Sequence, residues 1–414
     1  VRAARIRRVA VAPLVSVVAA LGAACGRSAT EAVSPRAADW SRVTAFLDSA
    51  VADGAAPGVV LAVSVRGERF VHGTGRLGLD DGARPDARTI YDLASLTKVV
   101  GLTTAVMLAV EEGRLALDAP VQRYVPEFAG EGKAAVTVRH LLVHAGGLPA
   151  WRALYKEAHS RAEAIALADT TALEAAPGAR TEYSDLGAIV LTQIVERLYG
   201  ERLDSLLARR VFGPLGMRET RFLPPAELRP RIAPTEHDPW RGRILRGEVH
   251  DENASRLDGV SGHAGLFSTA ADLLTFGEWM LDASEIACRG DACVARGAPA
   301  GDASVAPPDS TPRLPIRRST IDAFTRRQDV VPGSSRALGW DTPSPRSSAG
   351  TRLSEHAYGH TGFTGTSIWI DPERELVIVI LSNRVHPTRE NSRWTPVRRL
   401  GADLVVSTLF PAAR

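Results

Sequence analysis

"YDLASLTKVVGLTTAVMLAVEEGRL", residues 91–115, sets Ser95 and Lys98 one helical turn apart, in a run whose apolar residues recur at helical intervals until Gly113. The lysine raises the question. Of 50 lysines and arginines only Lys98, Lys133 and Lys156 are lysine. Arginine keeps its proton in a protein, whereas a desolvated lysine amine can release it and act as a base. Lys98 is therefore a candidate for chemistry that arginine cannot perform. The chain has 27 serines in 414 positions, so three lysines give about 0.2 Ser-x-x-Lys matches by composition alone, and the motif needs support from elsewhere. Taken alone, the stretch reads most simply as a serine cap and a solvated lysine.

Two further segments change that balance. A serine hydroxyl is a weak nucleophile: it needs a base within hydrogen-bond reach and donors that hold the oxyanion formed on attack. Lys98 lies on the same helix face as Ser95, and the Ser95 N–H at a helix start can point at an anion. "PGARTEYSDLGAIV", residues 177–190, puts Tyr183 in a loop just before a helix, with Asp185 two residues on. "YGHTGFTGTSIWID", residues 358–371, puts His360, Thr361 and Gly362 at the entry to a strand, where a backbone can lie along a substrate.

Ser95-Leu96-Thr97-Lys98, Tyr183-Ser184-Asp185 and His360-Thr361-Gly362, in that order and at these separations, closely resemble the three signatures of penicillin-recognising serine enzymes. The tyrosine makes the chain similar to the class C β-lactamase branch, with its D-alanyl-D-alanine carboxypeptidase and esterase relatives. "VTVRHLLVHAGGLP" and "GHAGLFSTAADLLTF" resemble stretches of the same branch, and the likeness runs from about residue 40 to the end. The resemblance implies Ser95 as nucleophile and Lys98 and Tyr183 as general base and then general acid, with the order of the two left open. It also implies an oxyanion hole from the N–H groups of Ser95 and Phe363, with Thr361 hydrogen-bonded to the substrate carboxylate or its neighbour. The reaction implied is acyl transfer through an acyl-enzyme. A D-alanyl-D-alanine carboxypeptidase-like enzyme is the leading expectation. The alternatives are a carboxylesterase or weak class C-like β-lactamase, and a catalytically silent peptide- or lactam-binding sensor.

Two positions depart from the family pattern. Asp185 stands where an Asn is usual, and an ionised carboxylate only accepts hydrogen bonds. Near Lys98 it would favour the charged amine; pointing away, it would cap the following helix. His360 replaces a lysine, which removes a permanent positive charge and argues against strong β-lactamase activity. Arg384, at the end of the strand "LVIVILSN", is a candidate replacement for that charge or an ordinary surface ion pair.

The rest of the chain sets the frame. Hydrophobic residues make up 45% and charged residues 23%, which suits a globular core, and the net charge of +3 has no dense basic run behind it, which argues against nucleic acid. Residues 1–25 have the arginine-bearing start, apolar run and small residues of an export signal. Cys25 is either a lipid-attachment site or an incidental cysteine after a cleaved signal. Both readings put the mature protein outside the cytoplasm, periplasmic or lipid-anchored on the outer side of the cytoplasmic membrane. A linker at 26–38 precedes a single domain at 39–414. The expected fold is α/β (α+β), β-lactamase/transpeptidase-like, with an antiparallel sheet built from both chain ends (39–94 and 350–414) and flanked by helices. A helical lobe is inserted at 95–349, with a flexible Ala/Gly/Pro/Ser-rich segment near 283–315. Within that segment Cys288 and Cys293 suggest a small structural clip. His250, Asp251, Glu252, Asp258 and His263 fit no recognised metal spacing, His140 and His144 read as packing or capping residues, and nothing requires a cofactor.

Overall fold

The computed structural model describes residues 33–282, 286–289, 292–295, 314–345 and 347–411. The expected export signal and most of the 283–315 insertion lie outside them. Of Cys288 and Cys293 the backbone register alone is described; it sets the two opposite each other in a short two-stranded ladder.

"GVVLAVSV" is apolar almost without a break because its strand, Gly58–Val65, is buried at all eight positions. Such runs belong to the middle of a sheet covered on both faces. The strand pairs with Glu68–Gly75 on one side and Leu376–Ser382 on the other. The sheet order is Glu68–Gly75, Gly58–Val65, Leu376–Ser382, Ser367–Asp371, Tyr358–Thr361, antiparallel throughout. The first hairpin turns at Arg66 and Gly67, both at positive φ (51° and 80°), as a two-residue turn matched to strand twist requires. The sheet thus joins the two chain ends, as the sequence pattern predicted.

Alternate residues of the central strands go to opposite layers. Val59, Leu61 and Val63, with Ile378 and Ile380, face the terminal helices Ser41–Ala52 and Thr395–Leu409. Val60 and Ala62, with Val377, Val379 and Leu381, face the helix Ala270–Asp282 and the larger helical core. Gly277 permits the closest approach there: a Cβ on it would stand 2.5 Å from Val377 Cγ1. The helix Asp185–Tyr199 has ten consecutive buried residues, Leu186–Val195, so it runs through this core rather than along its surface.

The segment after Ser95 is not the uniform helix that its periodicity predicts. A 3-10 turn at Ala94–Leu96 passes into π-helix at Lys98–Thr103 and then into α-helix at Thr104–Glu111. The Thr104 hydroxyl donates to the Val99 carbonyl five residues back, at 3.2 Å, which suits the wider turn. π-Turns of this kind frequently mark functional sites. No helix among the described residues is long and apolar enough to cross a membrane.

Candidate active site

Ser95 follows Ala94, whose φ of +47° is one that residues with a Cβ rarely adopt. Asp92 holds this bend: its Oδ1 accepts the Ala94 N–H at 2.8 Å and its Oδ2 accepts the His250 N–H at 2.6 Å. The third motif is fastened to the same turn. Thr364 Oγ1 donates to the Asp92 carbonyl at 2.7 Å, and Thr366 Oγ1 to the Leu93 carbonyl at 3.0 Å. Gly362 sits where the two segments meet, and a Cβ on it would fall 2.1 Å from Thr366 Oγ1 and 2.3 Å from the Leu93 carbonyl oxygen. Two stretches about 270 residues apart in sequence are thereby held side by side.

Lys98 is buried at 3% exposure, and its ammonium has three acceptors: Ser95 Oγ at 3.1 Å, Asp185 Oδ1 at 2.6 Å and the His263 carbonyl at 3.0 Å. A lysine ammonium has three N–H bonds, so all are in use. Burial pulls the Lys98 pKa down, but the adjacent Asp185 carboxylate, with Tyr183 beside it, outweighs burial and holds the amine above its ordinary value. This corrects the expectation that Lys98 is kept for a free amine. In the resting site it is a charged donor to Ser95. Asp185 points at Lys98; it is the first residue of its helix, and the preceding Ser184 makes no side-chain cap.

Tyr183 lies beside them. Its ring centroid is 4.9 Å from Lys98 Nζ and 5.2 Å from the Arg336 guanidinium, and its buried hydroxyl has no hydrogen-bond partner. The loop carrying it is tied to the "HAGGLP" stretch. The Glu182 N–H donates to the His144 carbonyl at 2.8 Å, Ser184 N–H to His144 Nδ1 at 3.2 Å, Ser184 Oγ to the Pro149 carbonyl at 2.6 Å, and Asp185 N–H to the Ala150 carbonyl at 3.0 Å. The His144 ring packs on Tyr183 at 4.6 Å between centroids. His144 lies past the end of the helix Val138–Leu142 at φ +57°, not four residues along it as the spacing to His140 suggests. His140 is a helix-capping residue: it completes a capping box with Thr137.

His360 Nδ1 donates to the Thr361 carbonyl at 2.8 Å, which leaves Nε2 as an acceptor, buried and without a partner. Burial, then the charges of Arg336 and Lys98, hold the His360 pKa well below the usual range. The imidazole is neutral. Positive charge reaches the site from other residues, Arg336, Arg384 and Arg398, which line a cavity of about 630 Å³ together with Ser95, Tyr183, His360, Thr361 and Phe363. A second cavity of about 320 Å³ on the Asp185 side also reaches Ser95, Tyr183 and Phe363. Arg384 is buried, donating to the carbonyls of Phe363, Arg389 and Asn391 at 2.8, 3.2 and 2.9 Å, so the surface ion-pair reading falls.

The predicted residues Ser95, Lys98, Tyr183, Asp185, His360, Thr361, Gly362 and Phe363 come together around these two cavities. Sequence reasoning missed Asp92, Arg336, Arg398 and the clamp formed by His144. Only Asp92 and His144 lay in stretches already singled out. The acid and histidine cluster near residue 250 consists of pairs: His250 Nε2 with Glu236 at 2.9 Å, His263 Nε2 with Asp251 at 2.8 Å, and Glu252 with Arg389 at 2.7 Å. Among the described residues no group of three or more His, Cys, Asp and Glu side chains could hold a metal ion.

Residues 43–403 match the family model described as Beta-lactamase. The chain belongs to the beta-lactamase family. Within it, the chain is 32% identical over 370 residues to a protein of Escherichia coli (strain K12) named "Putative D-alanyl-D-alanine carboxypeptidase", covering 81% of this chain and 78% of that one. The fold is shared with the octameric penicillin-binding protein homologue from Pyrococcus abyssi (TM-score 0.65, 21% identity, 90% of this chain and 79% of that one). It is also shared with EstCE1, a hydrolase with promiscuous acyltransferase activity (TM-score 0.66, 21% identity, 87% and 97%). This beta-lactamase-family member is a serine hydrolase, and its substrates fall among small molecules and peptides.

Proposed function

We propose that the protein is a D-alanyl-D-alanine carboxypeptidase-like enzyme acting through an acyl-enzyme on Ser95. The observation that carries this reading is the 3.1 Å contact between Lys98 Nζ and Ser95 Oγ at the edge of a cavity shared with Tyr183. Lys98, fully engaged as an ammonium, has no lone pair for the Ser95 proton. The base is then Tyr183 as the phenolate, which takes the Ser95 proton and becomes the neutral phenol, with the cations Lys98 and Arg336 beside its ring facing the anionic form. Ser95 Oγ attacks the scissile carbonyl, the N–H groups of Ser95 and Phe363 hold the oxyanion, and the proton returns to the leaving amine. Water then repeats the sequence to free the acid. Thr361 and the arginine-lined cavity receive the carboxylate of the leaving residue. The arginine-bearing start and apolar run of residues 1–25, the pattern of an export signal, support a site of action outside the cytoplasm, with Cys25 as the candidate lipid attachment.

The test is incubation with an acyl-D-alanyl-D-alanine peptide, a fluorescent penicillin and a nitrophenyl ester, alongside Ser95→Ala. Released D-alanine that disappears in the variant supports the reading, since loss of a serine nucleophile can cost about 10⁶ in turnover. Ester turnover without D-alanine release moves the assignment to an esterase. Absence of all three activities moves it to a silent binding protein.

A further inference from the structure

The larger cavity is unusually rich in unpaired positive charge. Arg336, Arg384, Arg398 and Arg399 line it against a single acid, Asp341, whose Oδ1 is taken by the Ser335 hydroxyl and the Thr342 N–H. Among the described residues none of the four arginines has an ion-pair partner, whereas most other buried or half-buried arginines in the protein do. Two guanidinium atoms, Arg336 NH1 and Arg398 Nε, are buried donors with nothing to donate to. Buried unpaired donors are costly, and a cavity lined by four arginines and no free acid is complementary to an anion that would fill it.

The charge is distributed along the cavity. Arg336 stands over the Tyr183 ring, next to the reacting groups. Arg398 and Arg399 come from the start of the helix Thr395–Leu409, which also lends Thr395 and Pro396 to the lining and carries no acidic residue in its first turn. A helix start of this length adds positive potential of its own. Arg398 is anchored by bonds from NH1 to the carbonyls of Gly362 and Thr366, each at 3.0 Å, so its position is fixed to the third motif. Burial, then the charge of Arg384, push its pKa down to about 10, as crowding of cations without an anion should. One terminal carboxylate met by Arg336 would leave Arg398 and Arg399 unanswered. At about 630 Å³ the cavity has room for more than a methyl side chain.

We propose that this cavity seats a dianionic leaving group: a D-amino acid whose side chain ends in a second carboxylate, as in D-glutamate, with the α-carboxylate at Arg336 and Thr361 and the side-chain carboxylate at Arg398 and Arg399. The inference rests on the peptidase reading and adds to it the class of residue expelled. In the step itself the acyl C–N bond breaks, the Ser95 ester forms, and the amino acid leaves as an amine that takes back the transferred proton.

Two measurements separate this from the reading beneath it. In the first, the Ser95→Ala protein is titrated calorimetrically with D-glutamate, D-glutamine and D-alanine. D-Glutamate should bind at least about tenfold more tightly than either neutral-side-chain amino acid, with an advantage that shrinks as salt screens the charges. Arg399→Gln should bring the D-glutamate to D-glutamine ratio toward one, and Arg399→Lys should retain most of it. Equal binding of the three, tighter binding of D-glutamine, or no binding of any would overturn the proposal. In the second, the wild type is given acyl-D-alanyl peptides ending in D-glutamate, D-glutamine or D-alanine, and a nitrophenyl ester. A higher kcat/KM for the D-glutamate peptide supports the proposal. Cleavage of the D-alanine peptide with no D-glutamate advantage in either assay sinks the proposal and leaves the peptidase reading intact. A D-glutamate binding advantage in a protein that turns over only the ester keeps the cavity's anion preference and removes the peptidase reading.

Discussion

At the scale of the residue, Lys98 decides how the site works. Its rarity in an arginine-rich chain singles it out, but what it supplies could not be read from Ser95 and Lys98 alone. That depends on Asp185, 87 residues away, which reaches Lys98 Nζ at 2.6 Å in a buried setting. Burial and the carboxylate oppose each other, and the carboxylate wins. Replacing Asp185 with Asn removes the largest influence opposing burial and leaves only Tyr183 against it, so the Lys98 pKa should fall by at least about one unit, worth ~1.4 kcal/mol. If activity uses the charged amine, the alkaline limb of the kcat/KM profile should move to lower pH by the same amount in Asp185→Asn. An unmoved limb would mean that Asp185 does not set the charge of Lys98. The motif positions themselves were legible because each is a short local pattern. Arg336 and Arg398 were not, because one arginine out of 47 carries no mark of the cavity it enters.

At the scale of the element, close approach matters more than propensity. The helix Ala270–Asp282 reads clearly from its apolar spacing, but its seat on the sheet depends on Gly277, whose missing side chain leaves room for Val377. Gly277→Ala adds a methyl 2.5 Å from Val377 Cγ1. It improves helix propensity, yet overpacking of this kind should cost about 1–3 kcal/mol net. A lowered urea midpoint with an unchanged slope is the expected result, and a variant more stable than the parent would show that the helix can shift to make room. The strands at both chain ends were visible from their apolar runs and from the turn residues between them. The π-turn after Ser95 was not, since an apolar spacing over six residues fits one helical pitch as well as another.

At the scale of the whole molecule, the two ends of the chain build one sheet, and the long middle of the chain returns to it with the groups that complete the site. Much of that convergence depends on buried histidines kept neutral. Burial, then nearby positive charge, hold His144 and His360 well below their ordinary pKa of 6.5. The unfolded chain therefore binds protons that the folded one refuses, and stability should be full above about pH 6.5 and fall as pH drops below it. The loss is up to ~1.4 kcal/mol per pH unit for each histidine until its folded pKa is reached. Unfolding midpoints measured from pH 7 to 5 should decline accordingly, and a flat profile would mean that these rings are protonated in the fold. That one antiparallel sheet is built from both chain ends, and that the three motifs belong together, were within reach of the sequence; the order of the strands was not. The clamps that hold them, Thr364 and Thr366 on the Ser95 turn and His144 on the Tyr183 loop, were not, because each joins a side chain to a backbone atom of a distant or neighbouring loop. The central claim is that Ser95 becomes covalently acylated beside a charged Lys98. Intact-mass analysis of the protein rapidly quenched in acid after mixing with an acyl-D-alanyl thioester should show an added acyl group, mapped to the peptide containing Ser95 and absent from Ser95→Ala; turnover without any such adduct, or an adduct on another residue, would contradict it.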